Sequence, residues 1–485
     1  MRLEPAKMAA PMVRRAPLLC LLQRPRAFLS APGRAAVRVR SRCKSRWDVL
    51  QLHQRGIFKD IFPKAGDLHQ LLESGVQTLY CGFDPTADSL HVGNLLTLIG
   101  LLHFQRAGHR VLVLLGEATA RLGDPSGRCS EREPVSLSAV QENARGIREG
   151  ILSVFRNHRL CFCSDAEAAT LGPVSIVNNS SWYEGKDVVG FMDTVGRHFR
   201  MGTMLSRHSV QSRLKSPEGM SLTEFTYQMF QAYDFYYLNQ HHDCRIQLGG
   251  TDQLGNMMTG YEFIHKETGQ DVYGIMVPLV TSASGDKLGK TAGNAVWLNR
   301  NKTSPFELYQ YFVRQPDSHI ERYLKLFTFI PLPELENIMI NHRKDPGKRI
   351  AQKRLAAEVT KLVHGKEGLE SAKRCTSALY HSSTDALETM SDEELQELFK
   401  EAPFSENLLE PGTTVLDLCR KANAIPDGPR GYQMITDGGI WINHIRVTKP
   451  EQVLVLEQHI LTNGLSLLRV GKKNYHIVKW LNMVV

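Results

Sequence analysis

Between residues 76 and 116 the chain twice carries a continuous apolar run closed by turn residues. "VQTLYCGF" stops at Asp84-Pro85, and "HRVLVLLG" stops at Gly116. Between them "HVGNLLTLIGLLHFQRAG" reads as a helix that ends at Gly108. Short continuous apolar runs suit strands buried on both faces, as in parallel sheets. Strand, helix, strand within about 40 residues is a βαβ unit, so the pattern predicts an α/β domain with a parallel sheet. Ligands of such sheets bind beyond the carboxyl ends of the strands, so the residues just after each strand are the place to look for chemistry. No GxGxxG follows the first strand, and the dinucleotide fingerprint is absent.

Residues 224–238, "EFTYQMFQAYDFYYL", are apolar or aromatic on several sides and predict one buried helix. Within it Tyr227, Gln231 and Asp234 fall at i, i+4 and i+7, on one face. The pattern alone leaves two meanings open: an internally satisfied stripe or the polar wall of a pocket. From 301 to 385 the pattern is helical, opening with Ser304 as N-cap and Pro305 at the first helical position. The stretch "STDALETMSDEELQELFKEAPFSENLLEPGT" is acidic and broken by Pro and Gly, and residues 386–410 within it read as a linker. Residues 411–485 form a short basic module of mixed pattern, with "TVLDLCRKA", a turn at Gly438-Gly439 and alternating strands in "WINHIRV" and "LLRVGKKNYHIVKW". The expected organisation is a leader over 1–46, an α/β domain over 47–300, an α-helical domain over 301–385, the linker, and a small α+β domain over 411–485.

Composition narrows the classes. The chain has 485 residues, enough for two to four domains of roughly 100–200 residues. With 42% apolar and 22% charged residues it suits a globular protein with a sizeable core. No apolar run approaches the roughly 18 residues of a membrane span, so no membrane insertion is expected. A net charge of +9 favours an anionic partner. Nine cysteines lack any CxxC pair, the nearest being Cys161 and Cys163, which predicts reduced thiols and no metal site. Residues 1–46 are Arg-rich with Glu4 as their one acid, the pattern of a mitochondrial transit peptide or of a basic tail. Met1 and Met8 both fit as the start.

Two stretches carry candidate chemistry. His91 and Gly93 stand at the mouth of the first helix, where free N–H groups favour phosphates. About 200 residues later "GDKLGKT" places Lys287 and Lys290 on a Gly-rich loop able to fold over a polyphosphate. It is not a Walker A loop, since GxxxxGK[ST] is missing. Each stretch alone is weak. Together, as His91-Val92-Gly93-Asn94 and Lys287-Leu288-Gly289-Lys290-Thr291, they resemble the HIGH and KMSKS signatures of class I aminoacyl-tRNA synthetases. With "YCGFDPTADSLH", "GDPSG", "SVQSR", "EFTYQMFQAYDF", "GGTDQ" and "VPLVT", the chain over about 47–485 resembles the tyrosyl-tRNA synthetases of bacterial and organellar type.

That resemblance implies a Rossmann-like catalytic domain, a helical tRNA-side domain and an S4-like RNA-binding domain. It implies tyrosine activation by ATP and transfer to tRNA(Tyr) in the mitochondrial matrix. ATP is then a substrate accompanied by Mg2+, no tightly bound cofactor is needed, and the assembly is a homodimer. His91, Gly93 and Asn94 match residues over the ATP phosphates; Lys287, Lys290 and Thr291 match the lid over pyrophosphate, with Arg128 and Arg132 on a second loop. Tyr80 and Asp234 match the pair for the substrate phenol. Tyr227, Gln231 and Asp124 match the ammonium site, Gln253 the carboxylate, Asp84 the adenylate and Asp252 its ribose. The departures are Asn94 for a second histidine, Leu254 for a tryptophan, Arg128 for lysine and the KLGKT lid. A tryptophan ligase of the same fold and a catalytically weak RNA-binding scaffold are the alternatives. The phenol pair opposes the first, and the retained lysines, His91 and pocket carboxylates oppose the second.

Overall fold

The structure is a computed structural model that describes residues 52–482 apart from 129, 281–289, 292–293, 381–386, 392–393, 396–397, 399–401 and 472–473. Of 290, 291, 294 and 380 it describes the backbone alone. The leader and Lys287 lie outside the described residues.

Six strands, β1 (Asp60–Phe62), β2 (Thr78–Phe83), β3 (Arg110–Leu115), β4 (Val174–Asn178), β5 (Cys244–Gly250) and β6 (Tyr273–Val277), form a sheet in the order β1-β6-β5-β2-β3-β4. β1 is antiparallel to β6, and the other five run parallel. Counted by themselves, the parallel strands stand 3-2-1-4-5, the doubly wound order, with its switch point between β2 and β5.

The longer helices of this half are α1 (Val92–Arg106), α2 (Leu137–Phe162), α3 (Leu222–His242) and α4 (Leu254–Thr268). Alternation along the strands decides which helices each face meets. Leu79, Cys81, Val111 and Val113 point to the α1 side, with Leu95, Leu98 and Leu102. Tyr80, Leu112 and Leu114 point to the opposite side, with Phe235, Leu238, Phe263 and Ile264 of α3 and α4. Both faces are therefore covered, which is why β2 and β3 read as continuous apolar runs. α1 lies very close to β5: a Cβ at Gly100 would come within 2.9 Å of the Leu248 side chain.

Four further helices follow: α5 (Pro305–Val313), α6 (Asp317–Phe327), α7 (Leu332–Lys344) and α8 (Ile350–Tyr380). Ser304 caps α5, its hydroxyl accepting from Glu307 N–H at 3.1 Å while the Glu307 carboxylate accepts from Ser304 N–H at 2.8 Å. The helices share one apolar core with the sheet, from Leu52 through Phe312, Tyr323 and Leu355 to Ala372. α8 bends at Gly365, whose φ of 76° is open to glycine. Asn157 of α2 donates to the carbonyls of Leu362 and Val363 at 3.2 and 3.0 Å, filling bonds that the bend leaves unmade. Arg55 donates to the carbonyls of Lys325, Ile330 and Thr328, tying the first described turn to the end of α6.

After the short hairpin β7 (Lys290–Thr291) and β8 (Asn294–Ala295), a second sheet is built from β9 (Phe404–Asn407), β10 (Ile440–Ile442), β11 (Ile445–Val447), β12 (Leu465–Val470) and β13 (Asn474–Trp480). Its order is β11-β10-β12-β13-β9. "WINHIRV" spans a tight hairpin, because Asn443 and His444 take φ of 47° and 68°, the left-handed pair of a type I′ turn. One face of the sheet packs on α9 (Val415–Lys421) and α10 (Pro429–Thr436) through Leu418, Ile435, Leu468 and Val478. The other face meets Ala378, Leu387, Met390 and Leu395 through Leu465, Leu467 and Ile477. The acidic 386–410 segment thus contributes a strand, β9 parallel to β13, and part of a core.

Candidate active site

The polar residues singled out in the sequence gather beyond the carboxyl ends of β2, β3, β4 and β5, on both sides of the switch point. α3 supplies the wall. Tyr227 and Asp234, spaced along one face, meet groups that follow β2 and β4, and Gln231 between them meets Asn256 of α4.

Asp234 is buried at the deep end. Its carboxylate accepts from Trp182 Nε1 at 2.9 Å, Tyr183 Oη at 2.9 Å and Asn179 Nδ2 at 3.1 Å. Burial pushes its pKa up to about 7, although these three donors pull the other way. Tyr80 stands on β2 with its ring 5.2 Å from that of Phe235. Its hydroxyl is buried and has no hydrogen-bond partner among the described residues. Burial and then the nearby Asp234 carboxylate push the Tyr80 phenol well up, so it is a neutral O–H. A buried hydroxyl without a partner is costly, and a ligand hydroxyl between Tyr80 and Asp234 relieves that cost.

The middle of the crevice is Asp84, just past β2. It accepts from Tyr227 Oη at 2.7 Å and from Thr119 Oγ1 at 2.8 Å. Burial raises it to about 6 against those bonds. Gly116, which ends "HRVLVLLG", is required here: a Cβ would lie 2.1 Å from Asp84 Oδ1. Asn179 links the two carboxylates, donating to Thr119 Oγ1 at 3.0 Å as well as to Asp234.

Asp124, in "GDPSG", accepts from Gln253 Nε2 at 2.7 Å, Ser126 N–H at 3.0 Å and Asn256 Nδ2 at 3.3 Å. Asn256 Nδ2 also reaches Gln231 Oε1 at 3.0 Å. The two side-chain donors to Asp124 are neutral amides. Asp252 and Gln253 lie on the 3₁₀ turn Thr251–Gln253 that leaves β5.

At the outer end His91 is the N-cap of α1. Its Nδ1 accepts from Gly93 N–H at 2.9 Å, and Asn94 Oδ1 accepts from His91 N–H at 3.1 Å. In a neutral ring the first bond puts the hydrogen on Nε2. Asn94 thus serves the cap through its carbonyl. The distal end of the lysine loop returns to this place. Val92 N–H donates to Val296 O at 2.9 Å, and Leu298 N–H donates to Leu90 O at 2.8 Å. Trp297 pairs with His91, and Lys302 lies over the Trp297 ring at 4.9 Å while pairing with Asp88. Residues 296–298 thus lie beside residues 90–92, some 200 residues away in sequence. Arg132 Nε donates to the Asp124 carbonyl at 3.4 Å. Arg128 is held below its usual pKa by burial and then by Arg132, so two guanidiniums share one neighbourhood.

Asn179, Trp182, Tyr183, Asn256 and Thr119 escape the sequence reading. "NNSSWY" directly follows β4, and the strand-end rule points to it once that strand is recognised.

The sequence pattern of the family described as tRNA synthetases class I (W and Y) matches residues 73–381. The chain belongs to this synthetase family. The mitochondrial tyrosine–tRNA ligase of Mus musculus is 62% identical, over 98% of this chain and 100% of its own. The mitochondrial tyrosine–tRNA ligase of Homo sapiens is 65% identical over 88% and 91% of the two chains. The tyrosine–tRNA ligase of Geobacillus stearothermophilus is 39% identical over 89% and 99%. Among solved structures, a C-terminally truncated Aspergillus nidulans mitochondrial tyrosyl-tRNA synthetase matches with a TM-score of 0.62 at 33% identity, over 68% of this chain and 94% of its own. The fold is thus the class I synthetase fold, a Rossmann-like parallel sheet, and the crevice at its switch point is this synthetase's candidate active site.

Proposed function

We infer that the chain is a mitochondrial tyrosine–tRNA ligase. It activates L-tyrosine with ATP, giving tyrosyl-adenylate and pyrophosphate, and passes the tyrosyl group to tRNA(Tyr). The observation that carries the amino-acid choice is the buried, unpartnered Tyr80 hydroxyl beside Asp234. A site built to bond a substrate hydroxyl rejects the analogue lacking it, because its own polar groups stay unpaired; tyrosine-charging synthetases are the reference case for that rule. An indole offers one N–H and no oxygen, which disfavours tryptophan here.

In this reading the substrate phenol bonds Tyr80 and Asp234, and its ammonium meets Asp124, Gln231 and Tyr227. Its carboxylate lies toward Gln253 and attacks the α-phosphate near Asp84, while Asp252 holds the ribose. No side-chain nucleophile is needed; the protein positions the reactants and stabilises charge on phosphate oxygens. His91 and Asn94 lie toward the phosphates, Gly93 lets them approach the backbone, Lys287, Lys290, Arg128 and Arg132 neutralise the leaving pyrophosphate, and the Thr291 hydroxyl donates to it. Mg2+ enters with ATP as part of the substrate. The terminal ribose hydroxyl of the tRNA then attacks the tyrosyl carbonyl and AMP leaves. The basic 411–485 domain holds the tRNA, residues 301–385 face it, and the 1–46 leader directs the chain to the matrix.

A homodimer is supported by exposed apolar residues grouped after β4. Val188 and Val189 are 79% and 78% exposed, with Met192, Met201 and Leu222 also open to solvent. Amino-acid-dependent ATP–pyrophosphate exchange across the twenty amino acids tests the central reading. Exchange with tyrosine alone is expected; exchange with another amino acid, or with none, overturns it.

A further inference from the structure

Two cavities of about 460 Å³ lie at opposite strand ends of the six-stranded sheet. One opens at the amino ends of β2 and β3, beside Thr78, Arg110 and His241, away from every site residue named above. The other abuts the candidate active site. Its lining includes Phe58, Lys59, Thr251, Pro278, Leu279 and Arg322. Thr251 immediately precedes Asp252, and Pro278-Leu279 follows β6. The cavity therefore begins where the ribose-side turn ends.

Lys59 and Arg322 come from distant parts of the chain and are both exposed. Lys59 is set by its backbone, whose N–H donates to Met276 O at 2.8 Å on β6. Arg322 is carried by α6, which Arg55 ties to the same region. Neither cation makes an ion pair among the described residues. Glu321, the acid next to Arg322, is already engaged by Lys325 and Arg343, each at 2.8 Å. Two unneutralised cations thus flank a cavity that touches the adenylate side of the crevice. Tyrosine is handled at the other end, by Tyr80 and Asp234, and the ATP phosphates at the mouth of α1.

We propose that this cavity is a phosphate subsite for the 3′ strand of the tRNA, in which Lys59 and Arg322 hold a backbone phosphodiester as the terminal ribose enters beside Asp252. The proposal rests on the ligase reading above. Phosphate contacts position a nucleic acid without reading its sequence, which suits an end that all tRNAs share. Pro278 and Leu279 give the cavity an apolar floor for a base or ribose.

The test is the full chain with Lys59→Ala and Arg322→Ala, singly and together, in pyrophosphate exchange and in tRNA charging. Both side chains lie on the surface, so the fold is kept, and circular dichroism checks it. Tyrosine-dependent exchange should stay within twofold of wild type by the order-of-magnitude expectation for remote surface changes. The KM for tRNA in charging should rise severalfold. The slope of log affinity against log salt should flatten by about one per cation removed. Unchanged charging kinetics and salt slope in the double variant overturn the subsite. A raised KM for ATP in exchange also overturns it, since the cavity would then serve the nucleotide. Wild-type protein without tyrosine exchange would instead defeat the ligase reading itself, a different outcome in a different assay.

Discussion

The six-stranded sheet is covered on both faces, by the α1 side and by the α3–α4 side. Its polar chemistry is confined to the ends of its strands. The C-terminal sheet is covered fully on its α9–α10 face, while Leu465, Leu467 and Ile477 occupy part of the other. On the rest of that face a cross-strand row runs Arg446, Trp441, Arg469, Tyr475, fixed by the pairings of β11, β10, β12 and β13. The Arg469 guanidinium lies 4.3 Å from the centre of the Trp441 ring and that of Arg446 lies 5.9 Å away. A parallel sheet needs helices on both sides and leaves its edge for ligands, whereas a mainly antiparallel sheet can turn a face outward. One sheet offers a crevice at its strand ends, and the other a partly open face that carries two guanidiniums on an indole.

The difference is sharpest in a truncation. Ending the chain at Tyr380 removes the second sheet with the segment that packs on it. Ending it at 410 would keep Leu387, Met390 and Leu395 but strip their cover. The shorter chain should retain pyrophosphate exchange and lose tRNA charging by orders of magnitude. Equal loss in both assays would erase the division of labour between the sheets.

Within the first sheet the largest effect belongs to Asp234→Asn. It removes the charged acceptor of three protein donors and of the substrate phenol. Hydrogen bonds to charged groups contribute about 1.5–3 kcal/mol each, so the KM for tyrosine should rise roughly 10- to 150-fold. The melting temperature should fall as well, because an Asn Oδ1 can keep the Trp182 and Tyr183 bonds but its amide then turns a donor toward the Asn179 donor. An unchanged KM would remove Asp234 from the pocket.

Tyr80→Phe should act with opposite signs. It deletes a buried hydroxyl that has no partner among the described residues, so the free protein should be unchanged or slightly more stable. The loss of one neutral bond to substrate should cost about 0.5–1.5 kcal/mol, roughly 2- to 12-fold in KM, with weaker rejection of phenylalanine. Reduced stability with intact discrimination would make Tyr80 a structural residue only. On the second sheet, Arg469→Ala should weaken tRNA binding and flatten its salt slope by about one, leaving exchange untouched. An unaltered slope would assign that row to packing.

How much of this was readable depends on where the chemistry sits. The helix mouth displayed His91 directly, whereas Tyr80, Asp84 and Asp124 in "YCGFDPTADSLH" and "GDPSG" were legible only through the family resemblance that these contiguous stretches carry. The i, i+4, i+7 stripe left pocket wall and internally satisfied stripe equally open, and the partners that Asp234 and Tyr227 take are not contained in the stripe. Asn179 and Asn256 were silent because asparagine in a turn or helix has many commoner uses. The Arg446–Trp441–Arg469 row needs strand register, which no short window of sequence contains. The 386–410 segment looked like a linker because its acidic residues outnumber the few apolar ones that pack.

The smallest effect expected is a shift in a pH profile, and it isolates the deep end of the first site. Asp234 is pushed up to about 7 by burial, so near neutrality it is partly protonated. Only its ionised form accepts freely from a phenol, and the KM for tyrosine in exchange should therefore fall as pH rises through about 7. Stability moves the other way. A carboxyl whose folded pKa is raised binds its proton more tightly in the fold, so this contribution is present below about pH 4 and is lost as pH rises to about 7. The indole N–H of Trp182 lowers that pKa, and Trp182→Phe removes it. The midpoint of the tyrosine KM profile should then move upward, by a fraction of a unit for one neutral donor. Asp84, raised to about 6, is the competing titrating group in the crevice. It faces Tyr227 and Thr119, so its signature would lie about a unit lower and respond to Tyr227→Phe. Phenylalanine-dependent exchange, which has no phenol to offer, should lack the step near 7. A midpoint that ignores Trp182→Phe but follows Tyr227→Phe would transfer the pH control to Asp84.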